Sequence, residues 1–116
     1  MTRTLCIALL GASLAGLALA GPALAAEPTV KVLTENAKLQ VLDVVEHPGD
    51  TGAMATRTGA VVYVLSGGTL ERTFADGTKT TAPRKAGEAV IITEKRAYSV
   101  KNIGTTTVHL IEVLTK

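Results

Sequence analysis

After residue 26 no stretch keeps the roughly 3.6-residue hydrophobic period of a helix; the apolar residues come in short runs broken by Gly, Pro, Asn and Asp. A chain built this way can bury its apolar side chains only in sheets. Thr29–Leu33 alternates weakly and reads as a first strand. Lys38–Glu46, KLQVLDVVE, is rich in Val and Leu and reads as a strand covered on both faces, ended by His47-Pro48-Gly49-Asp50. Ala53–Thr58 has too little periodicity to assign. Val61–Leu65 is a strand stopped by Ser66-Gly67-Gly68, which reads as a hairpin turn. In Thr69–Phe74, Leu70, Arg72 and Phe74 share one face and Thr69, Glu71 and Thr73 the other. Asp76-Gly77 predicts a two-residue type I′ hairpin turn, because both of its central positions need positive φ. Lys79–Ala82 then returns as an edge strand. Pro83–Gly87 reads as a basic turn, Glu88–Thr93 as a buried strand and Ala97–Asn102 as another. After Ile103-Gly104-Thr105, Thr106–Leu114 is the last strand. Eight to ten short strands predict an all-β sandwich or barrel.

The start of the chain has a different character. Arg3 precedes an apolar run, Leu5–Ala20, which is followed by Gly21-Pro22 and the triplet Ala23-Leu24-Ala25. Together these features are those of a secretory signal peptide cleaved after Ala25 or Ala26. The run is ended by Gly21-Pro22 and falls short of the roughly 20 strongly apolar residues of a membrane span. The expected organisation is therefore a signal peptide over 1–25, a tether and first strand over 26–37, and a β-barrel over 38–116, with the mature chain periplasmic or secreted and not membrane-bound. The sole cysteine, Cys6, lies in the leader, so the mature chain has no thiolate and can form no disulfide. Without residues 1–25 the chain has 91 residues and loses one basic side chain, Arg3, leaving 11 Lys and Arg against 10 Asp and Glu. This balance, with scattered basic residues and few aromatics, gives no nucleic-acid footprint. The pairs Arg84-Lys85 and Lys95-Arg96 read as solvated turns, and Glu71 and Asp76 as surface carboxylates. No Ser-His-Asp pattern, P-loop or Rossmann fingerprint is present. A domain of this size buries only about 60–65% of its unfolded surface, which favours a homodimer.

Pro48-Gly49, the string VVYVLSGG over Val61–Gly68, and the separation of Gly87 from Asn102 resemble the cupin family over residues 38–116. The family's first motif reads G, five residues, H-x-H, three or four residues, E, six residues, G. Its second reads G, five residues, P-x-G, two residues, H, three residues, N. The resemblance implies a jelly-roll, a cupin-like double-stranded β-helix, whose three His and one Glu hold a divalent metal inside the barrel. Anchored on Gly67, the Glu position falls at Ala60 and the paired His positions at Met54 and Thr56. The second-motif His falls at Tyr98, counted back from Asn102, and its Pro and Gly at Thr93 and Lys95. Counting from Gly49 gives Ala55, Arg57 and Val61 instead. Neither register supplies an imidazole or carboxylate donor, so no metal and no cofactor is expected.

Tyr98 is expected to reach into the barrel. With Met54 it either fills the space a metal would occupy or contacts a ligand. Thr56 and Arg57 are further ligand-contact candidates, Arg57 through a carboxylate near the barrel mouth. On the last strand His109, Ile111 and Val113 share a face and are expected to point inward, which makes His109 the better lumen histidine; His47 stands at a strand end. Three functions are compatible with these residues. The first is an exported metal-free cupin-like domain that binds a small organic ligand through Met54, Thr56, Arg57, Tyr98 and His109. The second is a metal-independent isomerase or lyase with Tyr98 and His109 as acid and base. The third is a structural or dimerisation module with a filled barrel. The leader makes a direct prediction: an intact-mass measurement of the exported protein gives a chain starting at Ala26 or Glu27, and retention of residues 1–25 contradicts the assignment.

Overall fold

The computed structural model describes residues 26–56 and 59–116. The proposed leader, and Arg57 and Thr58 with it, lie outside the described residues. Among the described residues there are eight strands and no helix. They are β1 (Thr29–Glu35), β2 (Leu39–Glu46), β3 (Ala60–Ser66), β4 (Gly68–Phe74), β5 (Lys79–Arg84), β6 (Ala89–Ile92), β7 (Tyr98–Asn102) and β8 (Val108–Thr115). Two antiparallel sheets form, one in the order β1-β2-β8-β3-β6 and one in the order β5-β4-β7. Isolated bridges Thr51–Lys101 and Ala55–Tyr98 lay the 51–55 segment along β7. The all-β, jelly-roll expectation is met.

Side-chain alternation decides which face of each sheet is buried. In β2 Leu42, Val44 and Glu46 point inward; in β3 it is Ala60, Val62 and Val64; in β8 it is Val108 and Leu110. Leu70 of β4 and Ala82 of β5 meet them from the other sheet, and these side chains form one core cluster. Two expectations about burial fail for the same reason. Lys38–Glu46 is not covered on both faces, since Val41 and Val45 remain half-buried on the outside of the sheet. Ala89–Ile92 is not a buried strand, for Ile91 is 75% exposed. Both strands have one covered face only, because the second sheet lies on one side.

Three turns also differ from expectation. Gly67-Gly68 is not a hairpin but the corner where the chain leaves one sheet for the other. A Cβ on Gly67 would stand 2.4 Å from the carbonyl oxygen of Arg84, and one on Gly68 would stand 2.7 Å from Val108 Cγ2, so only glycine permits this backbone approach. The β4–β5 turn is a three-residue loop rather than a two-residue type I′ turn. Gly77 N–H donates to Phe74 O at 2.9 Å, Gly77 takes φ of 88°, and Thr73 pairs with Lys79. The third difference is that β5 continues through Pro83 to Arg84, so the basic turn shortens to 85–87. Pro83 is tolerated because β5 is an edge strand.

Asn102 ties the sheets together at the end of β7. Its Nδ2 donates to the carbonyls of Glu46 and Thr106, both at 2.8 Å, and its Oδ1 accepts from Gly104 N–H at 3.0 Å. Its own backbone bonds to Asp50 O at 3.0 Å and accepts from Gly49 N–H at 2.8 Å. The side chain is 1% exposed, so removing it strands buried backbone groups. Asn102→Ala is expected to lower the unfolding free energy by about 3 kcal/mol, measured by urea denaturation; a loss below about 1 kcal/mol contradicts this role.

Candidate functional site

A cavity of about 230 Å³ lies between the sheets. Its walls combine apolar side chains with charge. From the first sheet come Glu46, which is 6% exposed, and Glu112. Glu112 pairs with Leu42 on one side and Val62 on the other, both buried, so it shares their inward face. From the second sheet come Arg72, between Leu70 and Phe74 on the inner face of β4, and Arg84, two residues beyond buried Ala82 on β5. Tyr98 of β7 completes this group and is 2% exposed. The mouth is bordered by Glu27, Pro28, Gly52 and Ala53, and Thr51 N–H holds Ala26 O across it at 2.8 Å.

Arg72 is positioned by stacking. Its guanidinium carbon sits 5.2 Å from the Tyr98 ring centroid. The Tyr98 ring meets Phe74 edge-on, with centroids 5.7 Å apart and planes at 63°. Phe74 in turn carries the Arg96 guanidinium at 3.9 Å. Two cations and two rings therefore alternate, an arrangement favoured by the negative faces of the aromatic quadrupoles. Arg96 is also forked onto Glu94 through two 3.1 Å bonds, which hold that carboxyl down at about 2. Arg96 therefore caps an aromatic pair and does not lie in a purely solvated turn.

Arg84 is held less well. One Nη donates to Pro83 O at 3.1 Å, but Nε is buried with no hydrogen-bond partner among the described residues. Burial lowers the guanidinium's affinity for its proton, and the positive charge of Arg72 lowers it further; Glu88, Tyr98 and Glu46 oppose this.

The residues proposed from the sequence are dispersed. Tyr98 and Ala60 lie in the cavity wall. Met54, 45% exposed, and Thr56 lie on the surface and do not border the cavity, because the 51–55 segment runs beside β7 and presents Gly52 and Ala53 to the mouth. Arg57 lies outside the described residues. His109 faces outward, contrary to expectation. Val108 and Leu110 form the inner set with Glu112, while His109 pairs with Asp43 on the outer face. The two faces of β8 are similarly apolar, so strand periodicity alone did not discriminate them. Tyr98 and His109 therefore cannot serve one ligand as acid and base. His47 is exposed and bound to the buried Asp50, at 3.5 Å.

Glu46, Arg72, Arg84 and Glu112 were not singled out from sequence. Their signal was nevertheless present: each stands two residues from apolar side chains on an inward strand face, as Arg72 does between Leu70 and Phe74.

No protein-family model matches the sequence, and no curated protein matches it significantly. Solved structures do match. A cupin domain from Bordetella pertussis superposes with a TM-score of 0.72 at 19% identity, covering 82% of this chain and 99% of that one. A double-stranded β-helix protein from Klebsiella pneumoniae gives 0.61 at 24% identity, covering 77% and 76%. A cupin family protein from Methanocaldococcus jannaschii gives 0.61 at 16% identity, covering 78% and 82%. The chain thus has the cupin fold, a double-stranded β-helix.

That fold is associated with a divalent metal, and the donor set here does not suit one. Among the described residues no three His, Cys, Asp or Glu side chains converge. The cavity carboxylates are accompanied by two guanidiniums, whose positive charge opposes a second cation. Burying guanidiniums between the sheets is costly, and Arg84 Nε is unsatisfied among the described residues. Arg84→Met is therefore expected to raise the unfolding free energy by about 1 kcal/mol, measured by urea denaturation. A destabilised Arg84→Met variant would assign Arg84 to structure instead.

Proposed function

We propose that this chain is an exported, metal-free cupin-like domain that binds a small organic ligand in its barrel. The supporting observation is the charged cavity of about 230 Å³. A structural module would gain stability by filling that space, whereas this barrel lines it with arginine and glutamate, at a cost in desolvation. At roughly 30 Å³ per water the space equals about eight waters, below the roughly 300 Å³ lower bound of drug-sized pockets, so the ligand is compact. The isomerase or lyase alternative loses its base because His109 faces outward.

A homodimer is the second part of this reading. Val61, Tyr63 and Leu65 of β3 and Ile91 of β6 stand exposed on the outer face of the five-stranded sheet, beside half-buried Ile111 and Val113. Such a face, about 20 × 24 Å for five strands of seven residues, offers roughly 480 Å². A standard interface needs roughly 800 Å² per partner, of which this face supplies about 60%. Charge on the face is confined largely to the Asp43–His109 pair and Lys31, so a second copy meets little repulsion. Native mass spectrometry of mature protein from its own host tests both parts. The expected spectrum shows a dimer retaining one small organic molecule per chain; one iron, manganese or zinc per chain, or an empty monomer, overturns the proposal.

A further inference from the structure

Charge in the barrel is divided by wall. The arginines both belong to the three-stranded sheet and Glu46 and Glu112 both to the five-stranded one. Each wall repeats one pattern. On β2 and β8 the rows run Glu46–Val108, Val44–Leu110 and Leu42–Glu112. On β4 and β5 they run Gly68–Arg84, Leu70–Ala82 and Arg72–Thr80. In both walls an apolar row separates two charged rows, and facing sheets stand about 10 Å apart. A molecule held here meets a cationic wall, an anionic wall and an apolar waist.

The guanidiniums retain binding capacity. Neither Arg72 nor Arg84 is ion-paired among the described residues, and Arg84 Nε has no acceptor there. A guanidinium presents a planar fork that matches a carboxylate. An ionised glutamate has about four acceptor sites, so it can take a ligand N–H while bonded elsewhere.

We propose that the cavity selects a short zwitterion, an aliphatic acid with a cationic nitrogen, its carboxylate on Arg72 and Arg84 and its nitrogen on Glu46 and Glu112. This rests on the barrel being a ligand site. A purely anionic ligand would leave the glutamates opposing it, and a purely cationic one the arginines. The apolar waist accepts the methylenes between the charges.

Isothermal titration of the dialysed mature protein tests this with ω-amino acids from glycine to 6-aminohexanoate, and with butanoate, butylammonium and butanamide. Affinity is expected to peak at one amino-acid length, with the singly charged and neutral probes at least about tenfold weaker. Arg72→Gln should reduce the best zwitterion to the level of butylammonium without altering butylammonium binding; Glu112→Gln should reduce it to the level of butanoate. Should either variant fail to fold, the probe series on the unsubstituted chain decides. Butanoate, butylammonium or butanamide binding as tightly as the best zwitterion overturns the zwitterion and leaves the ligand site standing. So does failure of every probe when the native spectrum shows a retained molecule. Failure of every probe with no retained molecule overturns both.

Discussion

Asn102 is the constraint on which the barrel depends. One buried amide bonds to the end of β2, to the turn before β8 and to the turn residue Gly104. It thereby fixes the five-stranded sheet against the three-stranded one at the end where the chain crosses between them. A carboxylate in its place would lack the two Nδ2–H donors, and an apolar side chain would leave the carbonyls of Glu46 and Thr106 without this partner. Gly67 and Gly68 serve the same corner by a different means, allowing backbone to approach where no Cβ fits. Hydrogen bonding and close approach together set the separation of the walls, and hence the cavity.

The cavity's chemistry follows from that separation. Inward positions of a small barrel ordinarily hold apolar side chains, and Leu42, Val44, Val62, Leu70 and Leu110 do so here. Replacing four further inward positions with Glu46, Arg72, Arg84 and Glu112 costs desolvation that a domain of this size can ill spare. The Arg96–Phe74–Tyr98–Arg72 stack offsets part of the cost by holding one guanidinium against an aromatic face. Arg84 has no comparable support. A side chain that is poorly satisfied by its own protein is a common mark of a site built for something else.

The outer surface carries the opposite imbalance. The five-stranded sheet is apolar on both faces, but the three-stranded sheet can cover only one. Val61, Tyr63, Leu65 and Ile91 are left in water as a result. The Val- and Leu-rich run over 38–46 therefore has the composition of a strand covered twice and the burial of a strand covered once. The reading of that run as doubly buried followed its composition; among the described residues only one of its faces is covered.

The sequence by itself determined the number and kind of elements. Short runs broken by Gly, Pro, Asn and Asp favour strands, and the family resemblance carried by Gly87 and Asn102 implied that Tyr98 reaches into the barrel, whose cavity it lines. Those features are local, and local backbone preference and alternation act within a few residues. Which face of a strand turns inward was decided by the tertiary structure. On β8 both faces are apolar, so the inward choice of Glu112 over His109 depends on β2 and β3 flanking it, and Met54 was displaced outward by the course of the 51–55 segment. The four lumen charges come from four strands spread between residues 46 and 112, and only the packing of two sheets brings them to one cavity.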